Sequence, residues 1–346
     1  MTIYPQDYAT GDGSESNPWA NDCIKKAYNA CPVDGTIYLK KGYYQLSGKS
    51  DINKKINIIG EGMGKTIIKT ANTLGFQIDA DYCSIRDFTV DGDAQTDGNS
   101  SMVCINSSGP KYLSYKNIEA KNAGYYGVNF NDVSNCIITD IHSHDNYRHG
   151  MHSGANYANT NQHNLYENIF SWNNGNLGFA ERGGFDSAFN IFKNLTCWNN
   201  GSFGIGASTQ KNGSILLDSL SYENGEAGIR TTGNYDFTIE NCYTHSNKIL
   251  GIYLSGGDNI NFVNVISKNN GLNGANDCGM NIKDTQNVVL SGCQLYDDRD
   301  NPFQQYAIFL QGTTKTVTLT NCILTPNKVT EIKNIAPEAV VTIITE

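Results

Sequence analysis

No stretch of roughly eighteen or more consecutive apolar residues occurs in this chain of 346 residues, so no helix in it is expected to cross a membrane. The opening "MTIYPQDYATGDGSESNPW" lacks both a basic segment and an apolar core, which excludes a secretory leader within it. Cationic charge is also in short supply. Lys and Arg number 25 against 34 Asp and Glu, for a net charge of −9. That excludes nucleic acid as a bulk electrostatic partner, while leaving room for local cationic clusters acting against the global sign. There are ten cysteines but no CxxC pair, so a zinc ribbon or dithiol motif is excluded. Most cysteines sit in apolar runs such as "NCIITDI" and "LTNCIL", as buried thiols filling space do. Histidine is rare, six in all, yet "SHDNYRHGMHSG" (143–154) holds three of them.

What the chain does have is a repeat. Aligned on a glycine followed by an apolar residue, it registers at Gly127, Gly150, Gly178, Gly204, Gly228, Gly251, Gly279 and Ala307. Each unit carries short alternating apolar runs divided by Asn, Asp and Gly, which is strand and turn chemistry rather than helix chemistry. Repeats in the twenties with this pattern mark a parallel β-helix, and the L-x-x-L-x-L pattern of leucine-rich repeats is absent. Two asparagine columns support it. One runs through Asn117, Asp140, Asn168, Asn194, Ser219, Asn241 and Asn264, the other through Asn122, Asn146, Asn173, Asn199, Asn224, Asn247 and Asn269. Stacked amides at the ~4.8 Å coil spacing satisfy backbone groups left over at turns. At the start, "NPWANDCIKKAYNACP" spaces Trp19, Cys23, Ala27 and Cys31 on one helical face, with Asn17 as cap and Pro18 in first position. A capping helix over 17–32 is expected, followed by coils over about 36–346 in a single domain. "GEGMGK" lacks the spacing of a phosphate loop.

The pleat assigns faces. Val128, Met151, Phe179, Ile205, Ile229, Ile252, Met280 and Ile308 point inward; Asn129, His152, Ala180, Gly206, Arg230 and Tyr253 point outward. Stacking then sets Arg148, His149 and His152 beside Tyr125, Tyr126 and Asn129, with Glu181 and Arg182 on the other side. A groove with aromatic walls and Arg and His at its centre suits an extended anionic sugar chain. Glu181 falls on the inward side by pleat, where it is either bulged out or paired. Asp91, Asp93 and Asp97 in "DFTVDGDAQTDGN" offer oxygen ligands for Ca²⁺, with a plain Asp-Gly turn as the competing reading. His142 and His144 decorate a second strand face.

The coil pattern, with "DNYRHGMH" (145–152) followed one coil later by "NNGNLGFAERGG", resembles mannuronan (alginate) C5-epimerases and related β-helix polysaccharide lyases. The entry "GTIYLKKGYYQL…INIIGEGMGKTIIKT…IRDFTVDGD" is similar as well. The resemblance implies an all-β, single-stranded right-handed parallel β-helix, a polysaccharide partner, no membrane, and an extracellular or cell-surface place. It carries Arg148 and His149 over as groups that bind a uronate carboxylate or assist proton transfer. The family's Tyr-Gly-Phe-Asp-Pro-His-Glu stretch has its counterpart in "YGVNFND", where Tyr126 matches and Asn129 and Asn131 stand at the Asp and His. The implied chemistry is removal of the C5 proton of a uronate, by epimerisation or β-elimination, with no cofactor required beyond an optional Ca²⁺. His149, His152, Tyr126 and Arg148 are the catalytic candidates. Tyr125, Asn129, Glu181, Arg182, Arg230 and Tyr253 are the substrate-binding candidates. A glycoside hydrolase using Glu181 and Asp186, and a non-catalytic glycan-binding solenoid, are the rival readings.

Overall fold

The computed structural model describes residues 1–20, 22–70, 74–93, 102–154, 161–182, 188–208, 213–272, 274 and 276–345. Their strands form one continuous ladder of parallel pairs, from Thr2–Ile3 to Val340–Ile344. Each complete coil has three faces. In one coil these are His149–Gly154, then Leu165–Glu167 and Ile169–Trp172, the last two being halves of one bent strand. The bend falls on Asn168, whose φ of 56° lies in the left-handed region that Asn tolerates. Asn117, Asp140, Asn194, Asn241 and Asn264 bend the neighbouring coils in the same way.

The register is the one the glycine alignment gives. Val128 pairs with Met151, Met151 with Phe179, Phe179 with Ile205, and Ile205 with Ile229. All of these side chains are fully buried in one core, with the aromatic and Cys side chains of the other two faces. Nine of the ten thiols are buried, as space-filling groups should be.

A corner before the His149–Gly154 face fixes this register. The Ser143 hydroxyl donates to the Gly150 carbonyl at 2.6 Å, and the Asn146 amide donates to Ser143 Oγ at 3.2 Å and to Asn174 Oδ1 at 2.9 Å. The amide ladder continues from Asn174 to Asn200, Asn224, Asn247 and Asn270 at 2.9–3.0 Å per step. Here the sequence-based columns need correcting. "WNNG" and "KNNG" contain two columns, not one. The first Asn (Asn122, Asn173, Asn199, Asn269) takes positive φ at the surface, and the second turns its amide inward. In the other column Asp218, not Ser219, is the left-handed member and accepts from Asn241 at 3.1 Å.

The N-terminal helix is shorter than expected, Cys23–Ala30, with Asp22 at its N-cap position. Asn17 and Pro18 do not start it, because Trp19 is already tied into the ladder. Its N–H donates to the Tyr43 carbonyl at 2.8 Å, and its carbonyl accepts from Gln45 at 2.9 Å. The helix buries Cys23, Ile24 and Ala27 in the common core. At the far end Val340–Ile344 extends the ladder without covering it, since Val340 and Ile343 remain 63% exposed.

The corner explains the glycines. A Cβ at Gly150 would stand 2.0 Å from Ser171 Oγ and 2.8 Å from the Gly178 carbonyl. Gly150→Ala is therefore expected to destabilise the protein by about 1–3 kcal/mol, the usual range for overpacking. Gly48→Ala, where an added Cβ meets nothing within 4 Å, is the control and should leave the unfolding midpoint in place. Chemical denaturation of the two variants checks this; equal midpoints would remove the steric account of the repeat.

Candidate functional site

The outward column of the first face reads Gln77, Asn106, Asn129, His152, Ala180, Gly206, Arg230, Tyr253, Asn281 and Phe309, each paired in register with the next. Ala180 and Gly206 are its smallest members, so the surface dips there. Two adjoining hollows of about 590 and 500 Å³ follow the dip, sharing Tyr126, His152 and Arg182. One reaches back to Leu74, Val103 and Asn106, the other forward to Phe203, Arg230 and Thr232. The groove thus runs along the helix axis from Asn106 to Arg230, five coil steps or about 24 Å at the usual strand spacing.

At its centre three rings stack. Tyr126 lies parallel to His149 with centroids 4.9 Å apart and to His152 at 4.8 Å. Arg148 sits over Tyr125 at 4.9 Å and donates to the Tyr125 hydroxyl. Burial depresses both imidazoles. His149 falls to about 3, with help from His152, Arg148 and Arg182. His152 falls to about 4, with Arg182 and Arg148 adding to the burial effect. Both are neutral near pH 7. The Tyr126 phenol is pushed the other way by burial and by its hydrogen bond to Tyr125, so it also stays neutral.

The two imidazoles differ in tautomer. His149 Nδ1 accepts the Leu177 N–H at 3.1 Å, so the ring proton is on Nε2. His152 Nδ1 lies 2.7 Å from Asn129 Oδ1, which only accepts, so its proton is on Nδ1 and Nε2 holds the lone pair. The ring lies over Gly154, where an added Cβ would come within 2.9 Å of His152 Cε1. His152 thus keeps its lone pair on Nε2, while His149 carries its proton there.

Charge distinguishes this groove from the rest of the molecule. The chain has five arginines. Arg86 pairs with Asp87 and Arg299 with Asp297, both at close range. Arg148, Arg182 and Arg230 all line the groove and have no carboxylate partner among the described residues. Arg230 instead lies over Phe203 at 4.9 Å.

Tyr125, Tyr126, Asn129, Arg148, His149, His152, Arg182 and Arg230 therefore come together as expected. Other candidates do not. Glu181 borders the groove, but the pleat turns its carboxylate into the coil, where it is 3% exposed and accepts from Asn161 at 3.0 Å. Its carboxylate is thus held by the Asn161 amide inside the coil, while the residue itself still lines the forward hollow. Tyr253 continues the column but lies outside the two hollows, because the floor is formed by the small residues two and three coils earlier. Asp91 accepts from Asn122 at 2.9 Å and from its own turn, and Asp93 lies 3.8 Å from Lys69. No group of three metal-ligating residues occurs among the described residues. Asp97 and Asp186 lie outside them. His144, read as decoration, is held by Glu119 at 3.0 Å and stacks on Trp172. Leu177 and Phe203, the residues just before the register glycines Gly178 and Gly204, line the groove as that position predicts, whereas the sequence reading missed Asn106. Asn106 could have been found by extending the column one coil back.

With this geometry in hand, comparison with known proteins places the chain. The model of the right-handed β-helix region family matches residues 149–276 and 185–336, together more than half of the chain, and the chain belongs to that family. Among curated relatives, alginate lyase 7 of Azotobacter vinelandii is 27% identical over 198 residues, covering 49% of this chain and 22% of its own length. Mannuronan C5-epimerase AlgE1 of the same organism is 26% identical over 277 residues, 71% of this chain and 18% of the relative. The chain thus spans about a fifth of the length of these relatives. Among solved structures, the A-module of Azotobacter vinelandii mannuronan C-5 epimerase AlgE4 superposes with a TM-score of 0.78, covering 99% of this chain and 100% of the module at 18% identity. The Agl-KA catalytic domain gives 0.70 at 14% identity, covering 99% of this chain and 68% of that one. These superpositions establish the shared fold.

The depressed imidazoles have a consequence for stability. Each folded value lies below the model-peptide value of about 6.5, so between pH 6.5 and roughly 4 the unfolded chain binds protons that the folded chain does not. Stability should fall as pH drops through that window. Near pH 5 the slope for the native protein should exceed that of the double variant His149→Gln, His152→Gln by close to two protons. Denaturation at a series of pH values checks it, and equal slopes would mean that the imidazoles are not held neutral.

Proposed function

We propose that this groove binds an extended polyuronate and removes the C5 proton of one sugar, as a C5-epimerase or a β-eliminating lyase. The observation that carries the reading is the trio Arg148, Arg182 and Arg230: three guanidinium groups without carboxylate partners among the described residues, along one groove of an acidic chain. Such groups fit carboxylates repeated along a polymer, and the aromatic wall fits sugar faces. The names of the two curated relatives, a lyase and an epimerase of alginate polymers, point the same way. A polymer substrate of this kind puts the protein outside the cell.

The chemistry follows from the proton positions. His152 Nε2 takes the C5 proton, and the C–H electron pair moves into the carboxylate to give an enediolate. Arg148 or Arg182 balances the charge that develops there. In elimination the pair returns to form the C4–C5 double bond, the C4–O4 bond breaks, and the Tyr126 phenol gives its proton to O4. The proton on His152 then restores the phenol. In epimerisation a proton is delivered to C5 from the opposite face instead. A hydrolase needs two carboxylates facing the glycosidic bond. The one carboxylate bordering the groove, Glu181, faces inward, so that reading has no support among the described residues. A binding-only solenoid is favoured by one observation, the Asn129 and Asn131 amides where the resembling family has Asp and His.

Polymannuronate, polyguluronate and pectate incubated in deuterium oxide separate these readings. Deuterium at C5 marks epimerisation, absorbance of an unsaturated uronate marks elimination, and binding with neither marks the solenoid. His152→Gln is expected to lower kcat at least about a hundredfold, the usual contribution of a general base, with little change in KM. Arg182→Ala should raise KM. Full activity in His152→Gln would remove the proposed base.

A further inference from the structure

We propose that Asp79, on the surface three coils away, fixes the ring proton of His152 on Nδ1 through a relay of three side-chain amides: Gln77, Asn106 and Asn129. The relay rests on the polyuronate reading only for the use to which the Nε2 lone pair is put; the proton position itself stands apart from it.

The argument is one of hydrogen-bond direction. The Gln77 amide nitrogen donates to Asp79 Oδ1. Asn106 Nδ2 donates to Gln77 Oε1 at 2.6 Å, and Asn129 Nδ2 donates to Asn106 Oδ1 at 2.5 Å. Asn129 Oδ1 faces His152 Nδ1 at 2.7 Å. An ionised carboxylate only accepts. Gln77 must therefore turn its NH₂ to Asp79 and its oxygen to Asn106. The same demand passes to Asn106, then to Asn129, and ends by requiring a donor at His152 Nδ1. Reversing any one amide would set oxygen against oxygen and nitrogen against nitrogen in the chain. The four residues Gln77, Asn106, Asn129 and His152 are register partners on successive coils, so the column that lines the groove also carries the relay. Chains of aligned amides polarise one another, which strengthens the last bond to the imidazole.

The relay meets a need particular to this chain. A neutral histidine has two tautomers, and a base at Nε2 requires the proton on Nδ1. His152 Nε2 has no hydrogen-bond partner among the described residues, so nothing on that side selects the tautomer. The resembling family places an Asp where Asn129 stands. Here an amide stands at that position, and the Gln77 and Asn106 amides carry the acceptor character of Asp79 to it and so to the ring. Gln77 and Asp79 line neither hollow, which makes them positioning residues and not substrate contacts.

Nitrogen-15 spectra of protein labelled in histidine, with His152 assigned from the His152→Gln variant, read the tautomer directly. The native protein should show His152 protonated on Nδ1 and His149 on Nε2. Gln77→Leu and Asp79→Ala should move His152 toward a mixture of tautomers and lower kcat about tenfold, the low end for a group acting through others, without changing KM. In Gln77→Leu with Asn106→Asp, the carboxylate is brought one step from Asn129, and the Nδ1 proton should return. KM should rise in that variant, because a carboxylate now faces an anionic polymer. A native His152 protonated on Nε2, or a tautomer unmoved in both Gln77→Leu and Asp79→Ala, would overturn the relay. A tautomer that moves as expected in a protein inert toward every polyuronate would uphold the relay and defeat the function proposed above.

Discussion

The structure depends on one corner, repeated coil after coil, where a glycine backbone lies against a serine hydroxyl and a buried asparagine amide. Ser171, Ser221 and Ser267 donate to Gly178, Gly228 and Gly279 as Ser143 does to Gly150. Each buried amide satisfies groups that would cost about 1–3 kcal/mol if left unpaired. Because the corner admits no Cβ from Gly127 to Gly251, and allows no slip, the strand after it starts at the same height in each of these coils. A one-residue slip would turn every groove residue into the core. The stacking of Tyr126 on His149, both placed at this corner, is therefore a product of coil geometry before it is a product of chemistry.

The same geometry sets the electrostatics. Elsewhere on this acidic chain some surface cations are paired, as Lys193 is with Glu167 at 2.8 Å. Along the groove the partners are missing among the described residues, since the column there supplies amides, imidazoles and small residues. Burial between stacked coils then keeps the imidazoles neutral beside guanidinium groups that reinforce the effect. A field of unbalanced positive charge and an uncharged base are complementary: the first holds a carboxylate, and the second can accept the proton that the carboxylate makes acidic.

Much of this was legible in the sequence, and the failures have physical causes. The register from Gly127 to Gly279 could be read because a solenoid must repeat its inward residues, and Val128, Met151 and Phe179 recur at the expected positions. From the register followed the outward column and the meeting of Arg148 with Tyr125. The asparagine columns were misread by one residue because "NN" supplies two amides with opposite duties, and composition does not tell them apart. The capping helix was drawn too long because Asn17 and Pro18 satisfy local rules that a tertiary hydrogen bond at Trp19 overrides. Glu181 was placed correctly by pleat, but its Asn161 partner could not be named, because it lies in a loop that the repeat does not predict. The tautomers of His149 and His152 were beyond reach, since they depend on Leu177 and Asn129 approaching from other coils.

The most direct test is a crystal structure of the protein with a short oligouronate. The sugar chain is expected to lie along the coil axis over Ala180 and Gly206, with carboxylates against Arg148, Arg182 and Arg230 and one C5 facing His152 Nε2. An oligouronate found instead on another face, such as the stacked Trp172 and Trp198, or touching none of the three guanidinium groups, would contradict the assignment of this groove.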